Sequence, residues 1–113
     1  MTSLDDYALS DRYTADEGRV FLTGIQALAR VPVAQLRADA TSGLNTAAFV
    51  SGYQGSPLGG FDQELARAKS QVPDLNIVSQ PAVNEELGAT AVMGSQLAAN
   101  QPDSIYDLSL IHI

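Results

Sequence analysis

The 113-residue chain has no cysteine, no tryptophan and a single histidine, His112. Without thiols it cannot build a disulfide framework, a thiolate zinc site or an iron–sulfur cluster of its own. With its one histidine second from the end, a serine nucleophile elsewhere has no imidazole base, and His112 reads as a tail residue. Basic residues are scarce too: six Lys and Arg stand against thirteen Asp and Glu, a net charge of −7. That sign is wrong for nucleic acid or an anionic membrane as partner. No apolar run approaches the roughly 18 residues that a membrane span requires. There is no internal repeat and no low-complexity tract. The opening MTSLDDYALSDRY carries adjacent aspartates where a secretory leader would carry Lys or Arg. Together with the missing cysteines, this makes the cytoplasm the expected compartment.

What remains is globular. Hydrophobic residues make up 45% of the chain and charged ones 17%, with a mean hydropathy of zero. A chain of this size buries roughly 65% of the surface that its unfolded form exposes, enough for one lean core. The first dozen residues are polar and acidic and read as an arm. Thr23 to Gln26 then has capping-box spacing, a hydroxyl followed three residues on by an amide. Behind it Ile25, Leu28, Ala29, Pro32, Val33 and Leu36 recur at helical spacing. Pro32 is expected to kink or split that helix, and Gly43 to end it.

Ala47 to Ser51 forms a short apolar run, as a buried parallel strand does. After the turn at Gly52 to Gly55, Ser56-Pro57 predicts an N-cap followed by proline at the first helical position. Leu58, Phe61, Leu65, Ala68 and Val72 supply the stripe of that second helix. Ile77-Val78 predicts a second strand, broken by Gln80-Pro81. A third helix is expected from about Asn84 to Asn100, with Ala89, Val92, Met93 and Leu97 facing inward. The alternation is that of an α/β fold with a parallel sheet flanked by helices. Two strands are too few for a sheet of this kind, so it is expected to be incomplete.

Open α/β sheets bind ligands beyond the carboxyl ends of their strands. Two loops qualify, Gly52 to Gly60 and Gln80 to Glu86. The first holds four glycines in GYQGSPLGG, so a ligand can approach its backbone closely; a tight turn with close helix packing explains the same glycines. It is no P-loop, because Phe61 stands where the phosphate-binding lysine belongs. No G-x-G-x-x-G occurs, and Ser56 is not in G-x-S-x-G. The second loop puts Glu85 and Glu86 in the first turn of a helix, where acidic residues complement the helix dipole by about 0.3–1 kcal/mol each. Glu85 shares a face with Ala89, Val92 and Gln96. That places it over an apolar seam and makes it the one candidate for a tuned acid or base.

The run GRVFLTGIQALARVPVAQLRADATSGLNTAAFVSGYQGSPLGGFDQELARAK, followed by QPAVNEELGATAVMGSQ, resembles the amino-terminal region of fused-chain indolepyruvate ferredoxin oxidoreductases. The likeness covers about Ser3 to Asp107. The SGYQGSPLGG-D and VNEELGATAV-GSQ blocks are long and specific. This is a family of thiamine-diphosphate-dependent 2-oxoacid:ferredoxin oxidoreductases. Its members decarboxylate a 2-oxoacid oxidatively to an acyl-CoA and CO₂ and pass electrons through iron–sulfur clusters to ferredoxin.

The resemblance implies that residues 16–107 are part of a pyrimidine-binding domain, after an arm over 1–15. It implies a glutamate that hydrogen-bonds N1′ of the cofactor's aminopyrimidine and promotes its imino tautomer. Matched through E-x-x-x-A-x-x-A-V-x-G, that glutamate is Glu85. Gly55, Ser56 and Pro57 match the loop that lies beside cofactor and substrate in relatives. Glu86 acquires no role. The 2-oxoacid, coenzyme A and ferredoxin become the expected partners, and a homo-oligomer the expected state of the complete enzyme.

The sequence also departs from the family. Residues 108–113, Leu-Ser-Leu-Ile-His-Ile, do not match, whereas relatives continue with a glycine, a strand and a Tyr-Gly-Lys-Gly-Pro-Gly-like loop. The Gly-Asp-Gly…Asn motif for magnesium and diphosphate is missing, as are cysteines for the clusters and anything for coenzyme A. The expectation is therefore a fragment, inactive alone, with the magnesium, diphosphate and cluster sites elsewhere in the full enzyme. The alternative is a non-catalytic module of the same fold that binds a partner subunit.

Overall fold

A hydroxyl and an amide set where the longest helix begins. Thr23 accepts a hydrogen bond from the Gln26 amide while the Gln26 side chain accepts one from the Thr23 amide, so two of the orphan donors at the helix start are satisfied. In the computed structural model, which describes residues 6–55, 58–107 and 109–112 (the last as backbone), this helix is α2. The order is α1 (Asp11–Thr14), α2 (Gly24–Thr41), β1 (Ala47–Tyr53), α3 (Phe61–Gln71), β2 (Ile77–Ala82), α4 (Glu85–Ala99) and β3 (Ser109–His112). The protein is a small α/β domain, a parallel sheet with flanking helices.

The strands lie in the order β2-β1-β3, all parallel. Parallel neighbours need crossover connections, and these are right-handed almost without exception. The crossover through α3 leads from β1 to β2, and the one through α4 returns past β1 to β3. The two helices therefore cover opposite faces. On the α2–α3 face, Ala29, Val33, Leu36, Leu65, Ala68 and Val72 pack with Ala48, Val50 and Ile77 into one core.

Several expectations are corrected. Pro32 does not divide its helix: α2 runs through it, and the ring is among the most buried side chains. Apolar packing offsets the lost backbone hydrogen bond. Pro81 likewise does not end its strand. It pairs in register with Gly52 inside β2, which an outermost strand tolerates because one side of it needs no donor. The second helix starts four residues later than Ser56-Pro57 implies. Gly60, at φ 88°, is its N-cap, and this left-handed turn keeps Leu58 out of the helix. Ser56 and Pro57 themselves lie outside the described residues. The tail contributes a third strand, with backbone pairing to β1.

The arm is also more than an arm. Tyr13 of α1 is 2% exposed and belongs to the core. Arg30 donates from Nη1 to the Arg12 carbonyl (2.5 Å) and from Nη2 to the Ala15 carbonyl (2.6 Å). Arg37 pairs with Asp16 at 3.2 Å. The two Arg30 bonds satisfy carbonyls of α1 and its C-cap, which so short a helix leaves free.

The largest correction concerns α4. Val92 is buried, but Ala89, Met93 and Leu97 are exposed, Met93 to 62% and Leu97 to 56%. The helix meets the sheet along Gly88 and Val92 instead. A sheet of three described strands offers no surface for a wider stripe. The radius of gyration, 15.0 Å, exceeds the roughly 13 Å of a compact chain of this length, as an open slab requires. Among the described residues no helix is long and apolar enough to cross a membrane.

Candidate functional site

In the order β2-β1-β3 the chain's direction of travel reverses between β1 and β3. The carboxyl ends at such a switch point form the crevice where open α/β sheets take their ligands. The glycine-rich loop leaves β1 at this edge, and the turn into α4 leaves β2 beside it, with Tyr53 opposite Ala82. The fold thus brings both candidate loops to one edge.

Each loop is pinned by a side chain. Gln54 donates from Nε2 to Asp62 Oδ2 at 2.7 Å, tying the start of the first loop to the first turn of α3. Ser51, buried, donates from Oγ to the Gln80 carbonyl at 2.7 Å and links the two strand ends. Gly55 folds back beneath the Tyr53 ring, where a Cβ would stand 2.7 Å from Tyr53 Cε1. That ring is exposed and can swing aside, so the approach alone does not demand a glycine. Asn84 caps α4, its Oδ1 accepting from the Leu87 amide at 2.8 Å.

Glu85 and Glu86 follow in that first turn, and both are exposed. The expected seam beneath Glu85 is absent because Ala89, one turn on, is itself exposed. Exposed apolar residues lie close by in the chain and across the strand pairing: Val83 is 81% exposed, and Tyr53 and Leu87 are both largely open. Among the described residues, a hollow of about 30 Å³ at this edge is lined by Val50, Ser51, Gly52, Phe61, Asp62, Ser79 and Pro81. That is room for a water molecule and far below the 300–1,000 Å³ of a small-molecule pocket. Glu85 and Gly55 lie at this same edge and line none of the hollows given by the described residues. His112 sits in β3 with its backbone opposite Ser51.

Sequence reasoning missed a buried acid. Glu64 of α3 is 8% exposed; it accepts from the Tyr13 hydroxyl and pairs with Arg67 at 3.0 Å. The hydrogen bond from Tyr13 is the largest cause of a pKa below the ordinary glutamate value. Burial, then the bond to Glu64, push the Tyr13 hydroxyl above its ordinary value. No periodicity announces Tyr13, an aromatic in a polar segment, as the partner of a helix 51 residues away. This pair holds α1 on α3 and lies apart from the carboxyl edge.

Larger hollows occur away from that edge. One of about 480 Å³ runs along α2, lined by Asp16, Arg30, Ala34, Arg37 and Leu75 among others. Another of about 230 Å³ separates α1 from α3. Among the described residues, no three His, Asp or Glu side chains converge as a metal site would need. No protein-family model, curated protein or solved structure matches the chain.

Proposed function

We propose that this chain is the amino-terminal part of an indolepyruvate-type 2-oxoacid:ferredoxin oxidoreductase, carrying the pyrimidine-binding half of a thiamine-diphosphate site. One observation carries the reading. The two sequence blocks on which the resemblance rests, far apart in the chain, leave adjacent parallel strands at the same carboxyl edge.

The residues present fit the pyrimidine end of that cofactor. Glu85 offers an exposed carboxylate at a helix start, with the exposed apolar residues Tyr53, Val83 and Leu87 close by in the chain and across the strand pairing. Gly55 would line the other side; Ser56 and Pro57, which the resemblance also implies, lie outside the described residues. Thiamine diphosphate supplies the electron sink that oxidative decarboxylation needs. Glu85 would hold and share a proton at the pyrimidine N1′, which a carboxylic acid can do and an amide cannot. A second domain, closing over the edge, would exclude water and strengthen that hydrogen bond. That domain, in this reading, brings the magnesium and diphosphate sites. The iron–sulfur clusters and the sites for coenzyme A and ferredoxin belong to the rest of the enzyme. In this reading the chain alone is inactive, because it supplies only part of a site shared between two domains.

The exposed stripe of Ala89, Met93 and Leu97 also suits the second reading, a non-catalytic module that pairs with another subunit. Resequencing the source DNA through and past the Asp107 codon separates the two. A frame that opens into a glycine, a strand and a Gly-Lys-Gly-Pro-Gly-like loop supports the oxidoreductase. A genuine stop after Ile113 rules out a thiamine enzyme and leaves the module. A sharp unfolding transition of the isolated chain also favours the module, because a fragment with unpaired strand edges should unfold broadly or aggregate.

A further inference from the structure

The cavity between α1 and α3 is lined by Leu9, Ser10, Arg12, Tyr13, Arg67, Ser70 and Gln71. Two of its lining residues are arginines. The Arg67 cation is committed through Nη1 to Glu64, which also accepts from Tyr13. Arg12 differs. It is half-buried, its Nε is buried without a hydrogen-bond partner, and no carboxylate forms an ion pair with it among the described residues.

Taking an unpaired guanidinium partly out of water is unfavourable unless an acceptor compensates. Glu64 feels the Arg12 charge but forms no ion pair with it, its two oxygens accepting from Tyr13 and Arg67. Asp11, beside Arg12 in the chain, turns the other way and accepts from the Ala8 amide. Counting Arg12, Arg67 and Glu64, the local charge is +1 in a chain of net charge −7. In the larger cavity along α2, Arg37 Nη1 is likewise buried without a hydrogen-bond partner, but both arginines there hold other acceptors. There Arg30 is spent on two carbonyls, and Arg37 on Asp16 and the Thr14 carbonyl.

We propose that the cavity between α1 and α3 is a binding site for a small oxyanion, a phosphate or a short carboxylate, with Arg12 as its main ligand and Arg67 as its second. A guanidinium presents paired N–H groups that match two oxygens of either anion. Ser10 and Gln71 line the same space, and their side chains carry further donors. The volume, about 230 Å³, lies below that of drug-sized pockets and suits a small ion. Leu9, 72% exposed at the rim, can cover a short alkyl group. Because the ligand bridges α1 and α3, it fastens the amino-terminal segment to the domain. The site is separate from the carboxyl edge of the sheet, so it stands whether or not Glu85 serves a thiamine cofactor.

The test is a titration of the 113-residue chain with sodium phosphate at constant ionic strength, followed by amide chemical shifts. Saturable shifts at Ser10, Arg12, Ser70 and Gln71 are expected, with a dissociation constant of about 1 mM. Arg12→Gln should weaken binding by roughly tenfold or more. Arg19→Gln, which removes the same charge from an exposed position, should leave it unchanged. Arg67→Gln serves as a second variant should Arg12→Gln fail to fold. A parallel titration with propionate identifies the source of the oxyanion: saturation by either ion alone supports the site and names its ligand class. Shifts that grow without saturating in both titrations, or that fall equally in Arg12→Gln and Arg19→Gln, would reflect bulk screening and overturn it.

Discussion

Gly88 of α4 rests directly on Gly52 of β1. A Cβ at position 88 would stand 3.3 Å from the Gly52 Cα and 3.4 Å from its nitrogen and from the Ala82 Cβ. Backbone cannot swing aside as a side chain can, so this contact sets how closely α4, and with it Glu85, approaches the sheet. Gly88→Val should push the helix away and lower stability by about 1–3 kcal/mol. Gly94, in the same helix, meets nothing within 4 Å, and Gly94→Ala should raise stability by about 0.5–1 kcal/mol through helix propensity. Urea unfolding of the two variants distinguishes these roles; equal effects would contradict the contact.

The Tyr13–Glu64 pair predicts losses of stability at both ends of the pH scale. Glu64 has a lowered pKa when folded, so its contribution is complete above the unfolded value near 4.5 and disappears as pH falls through the folded value. Tyr13 has a raised pKa when folded, so its contribution is complete below the unfolded value of 10.0 and declines as pH rises above it. Glu64→Gln should flatten the acid limb and Tyr13→Phe the alkaline limb, both read from thermal midpoints across pH. An unchanged alkaline limb in Tyr13→Phe would remove the tyrosine from this account.

Asn45 and Asp107 hold the amino ends of β1 and β3 together. The Asn45 amide donates to Asp107 Oδ2 at 2.7 Å and the Asp107 amide to the Asn45 carbonyl at 2.8 Å, while Asn45 Nδ2 reaches the Ile105 carbonyl at 2.8 Å. Asp107→Ala removes one of these bonds at an exposed site and should cost about 0.5–1.5 kcal/mol. Hydrogen exchange should show the loss mainly as faster exchange in β1 and β3, with α2 protected as before. A uniform loss across α2 as well would mean that the clamp does not act on the sheet alone.

Local chemistry made part of the fold readable. The capping box at Thr23, the left-handed Gly43 at φ 83° and the helix start near Asn84 are each set within one helical turn, and each is found as expected. Pro32 and Pro81 misled because tertiary context decides their effect: one is buried in a packed helix, the other lies in an outer strand. The inward face of α4 was misread because helical spacing reveals an apolar stripe without revealing whether a neighbour exists to cover it. In the site, the meeting of the two loops followed from strand order. The exposure of Glu85 did not, since it depends on how far the sheet extends beyond β1. Tyr13 and Glu64 left no local trace because their contact joins a four-residue helix to another element.

The central claim is most directly tested by the 2-oxoacid-dependent reduction of a viologen dye by the protein of the complete reading frame, supplied with thiamine diphosphate, magnesium and coenzyme A. The account predicts turnover with indolepyruvate that requires the cofactor and drops by roughly 10²- to 10⁴-fold in Glu85→Gln. Turnover close to normal in Glu85→Gln, or no 2-oxoacid-dependent reduction at all, would contradict it.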